Sequence, residues 1–224
     1  MNIETARFNM IEQQIRPWEV LDQTVLALLA TVRREDFVPP SMRALAFMDT
    51  CVPLTSDHAH GPCMLEPKVE ARLLQELQVQ RHESVLEIGT GSGFMAALLA
   101  HRAQRVTTLE CVPALAAMAR HSLARNGVAN VSVLDVSAQQ GAQGLAAEGP
   151  FDVIVLSGSV AEVPELLLKQ LKTGGRLAAI VGDEPVMRAR LITRAGDSAF
   201  GQVDLFDTVA ERLLGFSEPS RFRF

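Results

Sequence analysis

The sequence predicts an α/β fold: a doubly wound, mostly parallel seven-stranded sheet with an N-terminal helical extension and an antiparallel C-terminal edge. Three observations carry this. From Val85 onward, short β-rich runs alternate with helical periodicity, the pattern of a parallel sheet covered on both faces. A glycine-rich turn, "VLEIGTGSGFMAALLA" from Val85 to Ala100, joins the first such run to the first such helix. With 224 residues, 48% of them hydrophobic, the chain can bury a core of the size this layering needs. One domain over residues 1–224 is expected, with residues 1–80 as N-terminal helices and covering loop and residues 81–224 as the α/β core.

Ile3 to about Val32 reads as two helices: Phe8, Ile11 and Ile15 recur at helical spacing, and Val25, Leu28 and Leu29 resume it beyond Pro17 and Asp22. Arg34 to Pro67, with "REDFVPP" and "MDTCVPL", is proline-rich and aperiodic, so a covering loop with short extended pieces is expected. A helix from Pro67 to about Leu77 leads into the strand Val85–Ile88, and another runs from Phe94 to about Arg102. The strand Val106–Leu109 precedes a helix with Leu115, Met118, Ala119 and Leu123 on one face, stopped at Asn126-Gly127. Val131–Leu134, Phe151–Leu156 and Arg176–Val181 supply further strands, with a helix Pro164–Lys172 that Gly174-Gly175 turns into the last of them. "ARLITR" and "FGQVDLF", separated by "AGDS", read as an antiparallel pair at the sheet edge.

A net charge of −5 argues against broad electrostatic binding to nucleic acid or anionic lipid, so neither is expected as a partner. "MNIETARFNMIEQQIRPW" has acids and amides where a secretion signal needs a basic patch and an apolar stretch, and no apolar run reaches membrane-spanning length. A cytoplasmic protein is expected. Three cysteines, Cys51, Cys63 and Cys111, make an odd number, so reduced thiols are expected rather than a disulfide framework.

The turn itself runs strand, Glu87, Gly89, Gly91, Gly93, helix. Glycine lets the main chain adopt positive φ and lets a ligand approach it, while the helix that follows presents unpaired N–H groups. A dinucleotide site would have its third glycine one residue later, where Phe94 stands, and a phosphate-binding P-loop would need a lysine and a hydroxyl. Glu110 closes the next strand, about 20 residues beyond the turn, where an acid accepts hydrogen bonds from a cofactor ribose. Asp135 ends the strand after that. These strand ends converge on the crevice where parallel sheets bind ligands.

The pattern E-x-G-x-G-x-G resembles the first motif of the S-adenosylmethionine-dependent methyltransferases, which implies a Rossmann-like methyltransferase core. "MIEQQIRPWEVLDQTVLALLATVRREDFVPP" and "FDVIVLSGSVAEVPELLLKQLKTGGRLAAIVG" narrow this: with the glycine turn, and in this order, they resemble the protein-L-isoaspartate O-methyltransferase family over about Met10 to Gly182. The resemblance implies a protein-repair enzyme that methylates isoaspartyl carboxylates of damaged proteins or peptides, with S-adenosylmethionine as donor and S-adenosylhomocysteine as product. It implies a cofactor site at Glu87, Gly89, Thr90, Gly91, Ser92, Gly93, Glu110, Cys111, Asp135 and Val136. A carboxylate, which ordinarily titrates at about pH 4, is ionised at neutral pH, so the reaction needs no general base. Alignment of nucleophile, methyl carbon and sulfur is the main catalytic task.

The family carries "Q-T-I-S-Q-P" before the core, where this chain has "P-C-M-L-E-P". Cys63, Leu65 and Glu66 thus occupy the substrate-loop positions with the hydroxyls lost; leucine donates no hydrogen bond, and a nearby glutamate is expected to repel a carboxylate. Thr55, Ser56, Ser157 and Ser159 are candidate replacements, with Ser157 and Ser159 better placed at the ligand end of the fourth core strand. Two other readings keep the same fold and donor: a different acceptor, or a non-catalytic protein that binds S-adenosylmethionine. Asp57, His58, His60 and Cys63 are metal-ligand types within seven residues, but their spacing matches no zinc pattern, and no metal is expected. Trp18 is expected to anchor the N-terminal helices, Cys111 to be a small buried residue, and the ending "EPSRFRF" to fray.

Overall fold

The computed structural model describes residues 2–55 and 61–218. The N-terminal segment opens with α1 (Ile3–Met10), whose first-turn amides of Glu4 and Thr5 are capped by the Asn2 side chain. A π-helical turn, Ile11–Ile15, and a 3₁₀ turn, Arg16–Trp18, follow where Pro17 removes an N–H. α2 (Gln23–Thr31) starts at Asp22, whose carboxylate accepts from the Thr24 amide. The covering segment contains β1 (Val52–Pro53) and β2 (Cys63–Met64), paired antiparallel as a two-stranded ladder, and α3 (Pro67–Leu77) then leads into the core.

The core runs β3 (Ser84–Ile88), α4 (Phe94–Ala100), β4 (Arg105–Glu110), α5 (Pro113–Arg125), β5 (Val131–Asp135), α6 (Ala138–Gln143), β6 (Phe151–Val160), α7 (Glu165–Leu168), β7 (Leu171–Asp183), β8 (Val186–Arg194) and β9 (Phe200–Thr208). The seven strands lie in the order β5-β4-β3-β6-β7-β8-β9. The first five positions are joined by parallel pairs, and β7-β8 and β8-β9 are antiparallel. The predicted seven strands and antiparallel edge are therefore present. Chain order reverses at β3, which has β4 on one side and β6 on the other, so a crevice opens at the carboxyl ends of these strands.

Two elements differ from expectation. The helix expected over Pro164–Lys172 is one short turn, and β7 begins already at Leu171, so Gly174-Gly175 lie inside the strand. The pairing of β6 with β7 shifts register between Phe151 and Val153, and a Cβ on Gly175 would stand 2.8 Å from the Lys172 carbonyl and 3.0 Å from that of Asp152. The glycines form a bulge rather than a turn into the strand. Helix α6 has no counterpart among the expected elements; it is nucleated by a capping box in which Ser137 Oγ accepts from the Gln140 amide and Gln140 Oε1 from the Ser137 amide.

One apolar cluster runs from Met10 and Ile15 through Leu73, Leu98 and Val106 to Ala189, tying the N-terminal segment to one face of the sheet. A second, with Leu86, Ile154, Leu167 and Leu177, fills the other face. Trp18 does anchor the N-terminal segment, meeting the Phe206 ring edge-on at 5.5 Å with the Lys68 ammonium 4.5 Å from its own ring centre. Among the described residues, no helix is long and apolar enough to cross a membrane.

Candidate functional site

β3 delivers the glycine turn to the crevice. Gly89 has φ +90°, and a Cβ there would lie 2.6 Å from Leu213 Cδ2; Gly93 has φ +84° and would meet Ala119 Cβ at 3.2 Å. Positive φ strains any side chain at these positions, and at Gly89 one would also have to displace Leu213. Thr90 and Ser92 are buried within the turn, the Thr90 hydroxyl 2.7 Å from that of Thr108 and Ser92 Oγ accepting from the Phe94 amide at 3.3 Å.

The turn is closed by Glu110 at the end of β4. Its Oε2 accepts from the Gly91 amide at 2.8 Å, and its Oε1 accepts from the amides of Cys111 at 2.9 Å and Val112 at 3.0 Å. Three main-chain donors thus fix the carboxylate while Oε2 keeps acceptor capacity, the arrangement that suits one hydroxyl of a ribose. Glu87, fully buried at the end of β3, accepts from Thr108 Oγ1 and Ser157 Oγ, each at 2.7 Å. Burial pushes its carboxyl up to about 8 despite the opposing pull of the two hydroxyl donors.

These groups line a cavity of about 340 Å³, of the size that encloses a small organic ligand. The glycine turn, Glu110, Cys111 and Val136 line it; the covering loop contributes Cys63 and Leu65, and β6 contributes Ser157. Arg34 and Glu70 form a buried ion pair behind the loop, and Arg34 also donates to the Leu65 carbonyl at 2.6 Å. Burial pushes the Glu70 carboxyl up to about 7, with Arg34 pulling the other way. A second buried pair, Arg7 with Glu35, holds the preceding segment to α1.

A family model described as Protein-L-isoaspartate(D-aspartate) O-methyltransferase (PCMT) matches residues 5–209. The chain belongs to this family. Its members are S-adenosylmethionine-dependent methyltransferases, the class expected from the glycine turn. A relative from Rhodopseudomonas palustris, named protein-L-isoaspartate O-methyltransferase, is 39% identical over 207 residues, covering 92% of each chain. One of the same name from Methanoculleus marisnigri is 38% identical over 191 residues, 85% of this chain and 84% of that one. A Plasmodium falciparum structure named as a beta-aspartate methyltransferase, in complex with S-adenosyl-L-homocysteine, superposes with a TM-score of 0.75 at 20% identity, covering 96% of this chain and 99% of the other. At that identity it speaks for the fold.

Against the PCMT pattern, most predicted residues come together: Glu87, Gly89, Thr90, Gly91, Ser92, Glu110, Cys111 and Val136 share the cavity wall with Cys63, Leu65 and Ser157, whereas Gly93 does not line it and instead lies close against Ala119 of α5. Asp135 does not line it; β5 is the outer strand, and the carboxylate turns to Arg120 Nη2 at 2.7 Å. Glu66 also stands outside the cavity wall. Its carboxylate lies 3.2 Å from Lys68 Nζ, which in turn holds Asp49 at 2.8 Å, so the charge expected to repel a substrate is paired locally. Cys111 is half-buried rather than buried, because the β4–α5 connection opens on the crevice. Ser159 is fully buried and donates to the Ala210 carbonyl at 2.7 Å, leaving Ser157 as the cavity-lining serine of β6. Ser56, Asp57, His58 and His60, and the ending from Pro219, lie outside the described residues.

Nothing in the sequence pattern points to Glu211–Leu214 as part of the site. This segment returns from the sheet edge onto β6, with the Ser159 amide donating to the Glu211 carbonyl at 2.8 Å and the Leu213 amide to the Ser159 carbonyl at 2.9 Å. It brings Arg212 into the cavity wall, with its guanidinium paired with Asp183 and Glu218. Gly89 and Gly158 leave room for Leu213, a complementarity that only the folded chain reveals.

Proposed function

We propose that this chain is a cytoplasmic protein-repair methyltransferase that transfers a methyl group from S-adenosylmethionine to the isoaspartyl carboxylate of a damaged protein or peptide. The observation that carries this reading is that one cavity is lined both by the glycine turn closed by Glu110 and by the Cys63–Leu65 loop. The residues suit the donor. Glu110 Oε2 retains capacity for a ribose hydroxyl, Val136 and Leu115 offer apolar contact for a base, and the α4 N-terminus begins directly after the turn. When bound, S-adenosylmethionine supplies a methyl carbon on a sulfonium that departs as a neutral thioether.

The remaining work is done by the protein's own residues. The acceptor carboxylate is an anion at neutral pH and needs no base, so its orientation and desolvation control the rate. Leu65, Met64 and Leu213 present apolar surface, while Arg212, which also lines the cavity, has its guanidinium paired with Asp183 and Glu218. Because transfer neutralises an anion and a cation, a water-poor wall favours it by weakening the hydration of the charged reactants. Leucine at position 65 is compatible with this chemistry, although it cannot orient the carboxylate by donating a hydrogen bond. The N-terminal segment, the loop and the sheet act as one domain in this reading, and three free cysteines fit a reducing compartment.

The test is transfer of labelled methyl from S-adenosylmethionine to an isoaspartyl peptide and to the same peptide with ordinary aspartate. A base-labile ester on the isoaspartyl peptide alone is expected. No ester, or equal labelling of both, overturns the assignment.

A further inference from the structure

The ladder β1–β2 carries a pair of thiols. Cys51 directly precedes Val52, which pairs with Met64, and Cys63 is opposite Pro53. Residues 51, 53 and 63 therefore share one face of the ladder, with Cys51 and Cys63 on its diagonal. Both thiols are free and half-buried. Their mutual interaction holds the Cys51 thiol below the ordinary thiol range, whereas the same interaction together with burial pushes Cys63 up. Thiolate character thus gathers on Cys51, the better nucleophile, and the proton stays on Cys63. Cys63 lines the cavity; Cys51 does not.

We propose that Cys51 and Cys63 form a thiol–disulfide site that accepts a hydroperoxide as oxidant and reshapes the acceptor wall of the cavity when it closes. The naming of that wall rests on the function proposed above; the thiol chemistry does not. The Cys51 thiolate attacks one peroxide oxygen, forming S–O and breaking O–O, and the departing oxygen takes a proton and leaves as water or an alcohol. The Cys63 sulfur then attacks the sulfenic sulfur, forming S–S and breaking S–O, and the hydroxyl leaves as water with the Cys63 proton. With hydrogen peroxide, two thiols are oxidised to one disulfide and the peroxide is reduced to two waters. A diagonal pair stands about 7–8 Å apart at Cα, and a disulfide spans less than about 7 Å, so closure shifts the ladder by on the order of 1 Å. That movement draws the Cys63 sulfur toward Cys51 and away from the cavity. A bond closed against such resistance is readily reduced, which suits a reversible site.

The experiment treats the reduced full chain with stoichiometric hydrogen peroxide, alkylates it after denaturation and digests it with trypsin. The fragment of residues 44–68 contains both cysteines and is expected to be lighter by two hydrogens with neither alkylated, while Cys111 remains alkylatable. Further cleavage before Asp57 should leave two pieces joined until dithiothreitol is added. For an isoaspartyl peptide, kcat/KM should fall at least about tenfold on oxidation and recover on reduction, because a misplacement of about 1 Å at a reacting centre costs up to ~10²-fold. Cys51→Ser should keep the untreated activity and resist peroxide. Fragment 44–68 with both thiols alkylated, or with Cys51 carried to a sulfinic acid and no link, overturns the proposal; a link with unchanged kinetics overturns its effect on the wall. If the reduced protein methylates no isoaspartyl peptide, the acceptor assignment fails, and the link in fragment 44–68 still decides the thiol site.

Discussion

Replacing Glu87 by glutamine should change how stability depends on pH. Glu87 is fully buried, and its two partners, Thr108 and Ser157, are neutral donors at 2.7 Å. Each such bond contributes about 1 kcal/mol net, too little to replace the hydration of a carboxylate, so burial wins and the group titrates near 8 instead of 4.5. Between those two values the folded chain holds a proton here that the unfolded chain has lost. Stability is therefore greatest below the unfolded value and falls as pH rises through the folded one, by about 1.4 kcal/mol per pH unit. Glutamine keeps the shape and one acceptor oxygen but does not ionise. From about pH 5.5 to about pH 7.5 the parent should lose about 3 kcal/mol relative to Glu87→Gln. Urea unfolding at matched ionic strength reads the difference from the midpoints and slopes. Parallel stability profiles for the two proteins would refute the placement of a charged-state penalty on Glu87.

Other substitutions probe the turn and the loop. Gly89→Ala places a Cβ 2.6 Å from Leu213 Cδ2 at φ +90°, and should cost at least about 1–2 kcal/mol in denaturant unfolding and weaken cofactor binding in titration. Arg34→Ala leaves Glu70 buried without its partner and frees the Leu65 carbonyl; a loss of about 3–5 kcal/mol is expected by urea unfolding. Glu66→Gln removes a charge already paired with Lys68, so stability should stay within about 0.5 kcal/mol and acceptor kcat/KM within about twofold, measured by unfolding and by methyl-ester formation.

The sheet is legible because its strands alternate with helices at two different hydrophobic periods, and the glycine turn because three glycines beside an acid have few structural uses. Helix α6 escapes a periodicity reading because "AQQGAQ" has almost no apolar period, although Ser137 and Gln140 carry the capping signature. The bulge at Gly174-Gly175 reads as a turn because glycine marks both, and only the approach of the Lys172 and Asp152 carbonyls tells them apart. At the site, Glu110 is readable from its distance along the chain, whereas the pairing of Asp135 with Arg120 and of Glu66 with Lys68 depends on neighbours that only folding supplies. Arg34 and Glu70 are hidden for a related reason: charged residues are expected at the surface, and this pair is buried together behind the loop. Arg212 has no motif, and its position follows from the segment after β9 folding back along β6.

The most direct measurement is calorimetric titration of the full chain with S-adenosylhomocysteine, repeated on Glu110→Ala. One molecule bound per chain is predicted, with affinity at least about tenfold weaker in the variant, since a charge-assisted hydrogen bond lost from the ligand is worth about 1.5–3 kcal/mol. Absence of binding by the parent, or equal affinity in both proteins, would contradict the placement of the cofactor on the glycine turn beside Glu110.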